Sequence, residues 1–172
     1  MYNLIRRKVF VSYHHGGDQA YYDEFSRMFS DRYELIYDHS LERKVGSEDP
    51  EYVMRRIREK YLTGASVTVV LCGRETPWRK YVDWEICASL NQQMGIVGVK
   101  LPTITPGTNG SVIVPDRLHH NIESGYAIWT EWNQVYNDPA FLLLKIEEAY
   151  EKSVRLIDNS HPTMQKNGSY PY

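Results

Sequence analysis

The sequence predicts a three-layer α/β fold: a parallel five-stranded sheet with helices on both faces. Three observations predict it. Short β-branched or apolar runs alternate with helical patterns along the chain, the mark of βα units joined by right-handed crossovers. The central run "SVTVVLCG" (66–73) is apolar at nearly every position, as suits a parallel strand covered on both faces. At 172 residues the chain suits one domain and can bury a core without covalent staples.

Each element follows from local chemistry. "KVFVSY" (8–13) is β-branched and aromatic and reads as the first strand, which "HHGG" then breaks. In "DQAYYDEFSRMF" (18–29), Tyr22, Phe25, Met28 and Phe29 share one side of a helix that Asp18 can cap. "YELIYD" (33–38) is a second short strand, followed by the polar loop "HSLERKVGSED". Pro50 opens the helix "PEYVMRRIREKYL", and Gly64 ends it. After the third strand, "PWRKYVDWEICASLNQQM" is helical and "GIVGVKL" (95–101) is the fourth strand. Residues 102–125 read as one long loop rich in Pro, Gly, Thr and Asn, a length usually tied to function or flexibility. "YAIWT" (126–130) is the last strand. A long final helix covers "DPAFLLLKIEEAYEKSVRLI", with Phe141, Leu144, Ile146, Tyr150 and Val154 as its packing positions. Residues 1–158 form a single domain, and the patternless "NSHPTMQKNGSYPY" (159–172) is a flexible tail.

Five strands at this spacing suit the flavodoxin-like order 2-1-3-4-5. Ligands in such sheets bind beyond the carboxyl ends of the strands, at the switch point between strands 1 and 3. The segments that converge there are "SYHHGG", "DHSLERK" and "CGRETPW", beside the start of the helix that carries Glu85.

Composition excludes several classes. Twenty basic against 22 acidic residues leave no basic excess for nucleic acid. The two cysteines, Cys72 and Cys87, match neither a disulfide framework nor a zinc pattern, and they read as buried thiols in a reducing compartment. No run is apolar for long enough to be a signal peptide or a membrane span, so the expected location is cytoplasmic. Local tests narrow the fold relatives. A phosphate-accepting receiver domain needs an Asp where this chain has Leu71-Cys72-Gly73. Gly16-Gly17 does not complete a dinucleotide fingerprint and reads as a turn.

One family fits the remaining motifs. "RKVFVSYHHGGDQAYYDEF" resembles the opening of TIR domains, and "SVTVVLCGRETPWRKYVDWEI" resembles their third strand and following helix. TIR enzymes carry a W-x-x-x-E motif there, ending in the catalytic acid. Glu85 stands at that place, with Tyr81 where the Trp would be. Over roughly residues 7–130 the chain resembles the TIR-like family of bacterial antiphage defence, as in the TIR-like subunit of Thoeris systems. On a helix advancing about 100° per residue, Val82, Ile86, Leu90 and Met94 make the core stripe. Glu85 lies roughly 120° from it, on a boundary face near Trp78, Tyr81 and Ser89.

The resemblance implies an enzyme that cleaves the nicotinamide–ribose bond of NAD. Ordinary glycosidases need two carboxylates, one of them to protonate the leaving oxygen. Nicotinamide departs neutral from a pyridinium, so one carboxylate suffices to hold ribose hydroxyls and stabilise developing positive charge. Glu85 is therefore the candidate catalytic residue. Ser12, Tyr13 and His14 would line the nicotinamide–ribose pocket, although His14 and His15 also serve as turn residues. Asp38 and Ser40 fall where the family's mobile loop begins, or act as loop caps. Trp78 stacks on a base or packs the helix start, and Tyr81 adds a ring beside Glu85. Arg43, Lys44 and Arg74 could meet pyrophosphate. No metal or other cofactor is implied, NAD being the substrate. The implied product is a cyclic ADP-ribose-type signal that acts on a separate effector protein, and the implied partners include other copies of the chain through TIR-like surfaces, but no nucleic acid and no membrane. Two alternatives stay open: a non-catalytic TIR-like interaction module, since fold alone does not decide, and a nucleoside deoxyribosyltransferase-like enzyme.

Overall fold

Residues 6–38 and 49–169 are described by a computed structural model. The strands are β1 (Arg7–Ser12), β2 (Tyr33–Ile36), β3 (Ala65–Cys72), β4 (Gly95–Lys100) and β5 (Ile128–Glu131). All neighbours pair in parallel, in the order β2-β1-β3-β4-β5 that the sequence predicts. The helices are α1 (His15–Phe29), α2 (Pro50–Ile57), α3 (Lys80–Asn91), α4 (Asp116–Glu123), α5 (Trp132–Asn137) and α6 (Pro139–Tyr150).

Strand alternation divides the core into two faces. Val9, Val11, Val67, Val69, Leu71, Val97 and Val99 point to one side, where Phe25 and Phe29 of α1, Val135 of α5, and Leu142 and Ile146 of α6 cover them. Phe10, Val70, Cys72 and Ile96 point to the other side, under α2, α3 and α4. Helix α3 is buried almost all round. Val82, Ile86 and Leu90 meet β3, β4 and α4, while Trp84 and Ala88 meet Val53 and Ile57 of α2. This explains why its sequence lacks a wide polar face.

Several boundaries differ from the sequence expectation. The long 102–125 loop contains a helix, α4, whose apolar signal is little more than Leu118 and Ile122 on an otherwise polar octet. The short α5 follows β5 directly, closed by a capping box between Glu131 and Gln134. Helix α6 ends at Tyr150, before the sequence pattern does, and a single 3-10 turn follows at Val154–Leu156. Its buried positions are Leu142, Ile146 and Ala149, and Phe141 packs against the same cluster, partly buried, as expected. Leu144 is 70% exposed, and Tyr150 and Val154 also face solvent. Beyond Ile57 the chain passes through a π-helical turn, Arg58–Leu62, and Gly64 leaves it at φ +80°. Glycine adopts that left-handed conformation without steric cost.

The C-terminal segment is where expectation and structure part most clearly. Residues 159–168 lie along α3 rather than hanging loose. The Asn159 amide donates to Cys87 O and Asn91 Oδ1, and the Met164 amide donates to Asp83 Oδ2. Trp84 Nε1 donates to Met164 O at 2.8 Å, and Gly168 N donates to Trp78 O at 2.9 Å. A patternless sequence can still be ordered when its backbone groups find partners on a neighbour. Among the described residues, no helix is long and apolar enough to cross a membrane.

Asp83 is also the acid of a buried ion pair. Arg117 Nε donates to Asp83 Oδ1 at 2.8 Å, and both side chains are at most 5% exposed. Arg117→Met leaves that acid without its cation and is expected to cost about 3–5 kcal/mol in urea unfolding. The double change Asp83→Leu, Arg117→Met is expected to cost less than Arg117→Met alone. On the opposite face, Arg7 of β1 holds Glu147 of α6 through two hydrogen bonds, of 2.5 and 2.9 Å. The Arg7 hydrogen bond holds the Glu147 carboxyl below the usual carboxylate range. Its contribution is present above the unfolded pKa, about 4.3, and is lost as pH falls through the lower folded value. Glu147→Gln is therefore expected to flatten the acid limb of a melting-temperature profile. The effect is under about 1 kcal/mol, because the pair is half exposed.

Candidate functional site

Ser12 is the last residue of β1, and the two-residue period puts it on the same face as Phe10, toward α3. Glu85 and Ser89 are one turn apart on α3. Their partners stand on adjacent strands: the Ser12 hydroxyl donates to Glu85 Oε2, and Ser89 Oγ is 2.7 Å from Thr68 Oγ1 of β3. In the sheet register Ser12 pairs with Val70 and Phe10 with Thr68, so Ser12 lies one pleat repeat closer to the carboxyl edge than Thr68. The helix runs against the strands. One helical turn, about 5.4 Å, spans roughly the same distance as two strand residues. Two polar rungs thus cross an otherwise apolar interface, and the outer rung holds the carboxylate. Glu85 is 5% exposed and Ser12 1%. The boundary position inferred from the helical wheel is corrected to a sheet-facing one, because α3 is covered on both flanks.

The other sequence candidates are distributed around this contact. Tyr13 turns to the α1 side of the sheet, where its ring stacks on Tyr22 at 4.7 Å and on His15 at 4.2 Å and its hydroxyl donates to Gln19. Burial pushes the Tyr13 phenol up, with Tyr37 adding to the effect, so it stays neutral. The half-buried His14 imidazole lies along the Gly16 and Gly17 backbone. Asp38, after β2, is 1% exposed. Ser40, Arg43 and Lys44 lie outside the described residues. Trp78, in a 3-10 turn before α3, faces the C-terminal segment, its ring against Gly168. Tyr81 meets Trp84 edge-on at 5.3 Å, and Lys80 Nζ sits over both rings. Tyr81 and Trp84 thus pack with the α2-side cluster. Arg74 is exposed.

Residues that sequence reasoning missed sit at the same edge. Asp18 is 2% exposed, at a kink in α1 (φ −122°, ψ 16°), so it is not the helix cap. Thr103 Oγ1 accepts from Arg74 N and donates to Asp18 Oδ1, tying α1 to the ends of β3 and β4. A Cβ on Gly73 would fall 2.1 Å from Asp18 Oδ2, so only glycine admits this carboxylate at the end of β3. An acid in a first helical turn, together with a glycine at a strand end, was the available signal. Asp83 carried a fainter one, a charge among the apolar residues of α3, and Arg117, on a largely polar helix between exposed Asp116 and His119, carried none.

The chemistry open to this edge is that of carboxylates and hydroxyls. Burial, and then Asp18, push the Cys72 thiol up, and burial also raises Cys87, so neither thiol is an activated nucleophile. Among the described residues, no group of three or more His, Cys, Asp or Glu side chains is placed to hold a metal ion. Two of the larger clefts lie elsewhere. One of about 470 Å³ is between α2 and α3, lined by Tyr52, Arg55, Arg58 and Asn91. Another, of about 1130 Å³, is at the amino edge of the sheet beside Arg7 and Tyr33.

No curated protein matches the chain. Residues 10–105 match the model of a family described as Thoeris protein ThsB, TIR-like domain. That segment is more than half of the chain and runs from β1 past β4, so it includes both Ser12 and Glu85. With a five-stranded parallel sheet in the order β2-β1-β3-β4-β5 and this match, the chain belongs to the TIR-like domain family of the Thoeris protein ThsB and is a defence-related TIR-like protein.

Proposed function

We propose that this protein cleaves the nicotinamide–ribose bond of NAD, with Glu85 as the catalytic carboxylate. The observation that carries the reading is the buried Glu85 side chain, hydrogen-bonded by Ser12 at the carboxyl edge of β1. A ligand in this class of sheet approaches that edge. The C1′–N bond breaks with its electron pair passing to the pyridinium nitrogen, so nicotinamide leaves neutral and positive charge grows on the ribose. A carboxylate already withdrawn from water stabilises that charge far more than a hydrated one. Ser12 holds the carboxylate by a neutral donor, which fixes its direction without cancelling its charge. A ribose hydroxyl can take the same kind of bond.

Water at C1′ gives linear ADP-ribose. An internal nucleophile from the adenine end gives a cyclic isomer, one water lighter. The proposed product is the cyclic isomer, acting as a messenger on a separate effector. Its support is the family membership and the burial around Glu85, which disfavours water. A second reading, a non-catalytic module that binds a protein through the groove between α2 and α3, is favoured by the position of that groove away from Glu85.

Glu85→Gln keeps size and helix propensity. It is expected to leave the melting temperature near wild type and to lower NAD turnover at least about a hundredfold. Ser12→Ala is expected to lower turnover about tenfold. Wild-type turnover by the folded Gln variant, or no NAD consumption by the wild-type protein, would leave the binding-module reading. Mass spectrometry of the wild-type reaction is expected to show the cyclic mass. Linear ADP-ribose alone would reduce the proposal to NAD hydrolysis.

A further inference from the structure

Helix α3 is held from two sides. Its sheet-facing row carries Val82, Glu85, Ile86 and Ser89. Its opposite row carries Lys80, Asp83, Trp84, Cys87 and Asn91, and this is the row that residues 159–168 engage. At about 100° per residue, the centres of the two rows lie roughly 165° apart. The segment runs antiparallel to the helix: Asn159 meets Cys87 and Asn91, Met164 meets Asp83 and Trp84, and Asn167 and Gly168 meet Lys80 and Trp78. The Asn167 side chain accepts from Lys80 N at 2.9 Å, so it supplies from far along the chain the cap that α3 lacks from its own N-cap residue, Arg79. Upstream, the segment is fastened to α4. Asn121 accepts from Asp158 N and donates to Asp158 O, and Arg117 Nη1 donates to Asn159 Oδ1.

We propose that residues 159–168 are the positioning element for Glu85, with Met164 and Asn167 as the contacts that fix the rotation of α3. The inference rests on the NAD-cleaving reading. Rotating a helix by about 20° moves a group about 6 Å from its axis by about 2 Å. A displacement of about 1 Å at a reacting centre can cost about a hundredfold in rate. Apolar packing under Val82, Ile86 and Leu90 resists separation of helix and sheet. It is less directional against rotation than hydrogen bonds to Asp83 Oδ2, Trp84 Nε1 and Lys80 N.

The test uses the full chain with three substitutions. Asn167→Ala removes the acceptor on Lys80 N, Met164→Pro removes the donor to Asp83, and Asn167→Asp restores an acceptor at the helix N-terminus. Carbodiimide labelling of Glu85, read by mass spectrometry well below the melting temperature, reports the carboxylate's placement without any substrate, and Glu147 is the internal control. In the Ala and Pro variants, Glu85 labelling is expected to rise about fivefold or more, with kcat for NAD falling about tenfold at a KM within about twofold. Asn167→Asp is expected to return both values to near wild type. Unchanged Glu85 labelling in both variants overturns the proposal, as does changed labelling with unchanged kcat. If the wild-type protein does not consume NAD, the catalytic reading fails, while the labelling still decides whether the segment places Glu85.

Discussion

The Ser12 hydroxyl on the Glu85 carboxylate is the contact on which the geometry of the proposed site depends. A carboxylate buried to 5% exposure between a helix and a sheet is costly without donors. A hydrogen bond to a charged group contributes about 1.5–3 kcal/mol. Its geometry follows from two periodicities. The strand period places Ser12 on the α3 face, at the last position before the chain leaves the sheet. The helix period places Glu85 one turn above Ser89, whose own partner, Thr68, sits deeper on β3. A shift of one residue in β1 would put Tyr13 or Val11 under Glu85 in place of the hydroxyl.

Two acids on α3 receive different treatment. Asp83 meets the guanidinium of Arg117 and the backbone of Met164, on the helix face turned from the sheet. Glu85 meets a hydroxyl on the sheet side. A buried Asp–Arg pair adds little net stability over a well-packed apolar pair, because desolvation offsets the attraction. Its directional bonds do define one arrangement of α3, α4 and the C-terminal segment. The aromatic residues near Glu85 in sequence fit the same picture. Trp84 is wholly buried and donates to Met164 O, Tyr81 packs edge-on to it, and Trp78 backs onto Gly168. Trp78 and Tyr81, which the sequence offered as rings beside the substrate, pack here against the segment and the helices that hold the acid.

The fold was legible because its signals are local. The apolar run of β3, the Pro50 helix start and the spacing of the strands each follow from short-range chemistry, and parallel topology restricts how they connect. Helix α4 was hidden because Arg117 and Asn121 are buried polar residues, whose core role depends on partners 34 and 37 positions away. The C-terminal segment was misread for a related reason. Its attachment uses backbone groups and the side chains of Asn159 and Asn167, which leave no hydrophobic period to detect. Leu144 erred in the opposite direction: it lies within an apolar run yet is 70% exposed, since the row fully buried against the sheet is Leu142, Ile146 and Ala149 and Leu144 faces away from it. At the site, Glu85 and Ser12 could be named from motif position. Their direct contact could not, because it depends on the offset between α3 and β1, which packing sets.

Stability alone gives no reason for an acid at position 85. Isosteric apolar or amide side chains would fill the same space, and replacing buried charge by apolar groups of similar volume is often neutral or stabilising. A TIR-like module acting only through its surface would draw nothing from a carboxylate that is 95% buried. The acid also lies toward the carboxyl edge of the sheet, at β1, and Asp18, held by Thr103 over Gly73, brings a second carboxylate to that edge at the end of β3. Costs concentrated at one edge of an otherwise apolar sheet are the physical pattern expected of a site built for chemistry. In the proposed reaction the Ser12 hydroxyl, a neutral and directional donor, would point that carboxylate toward the ribose on which positive charge develops.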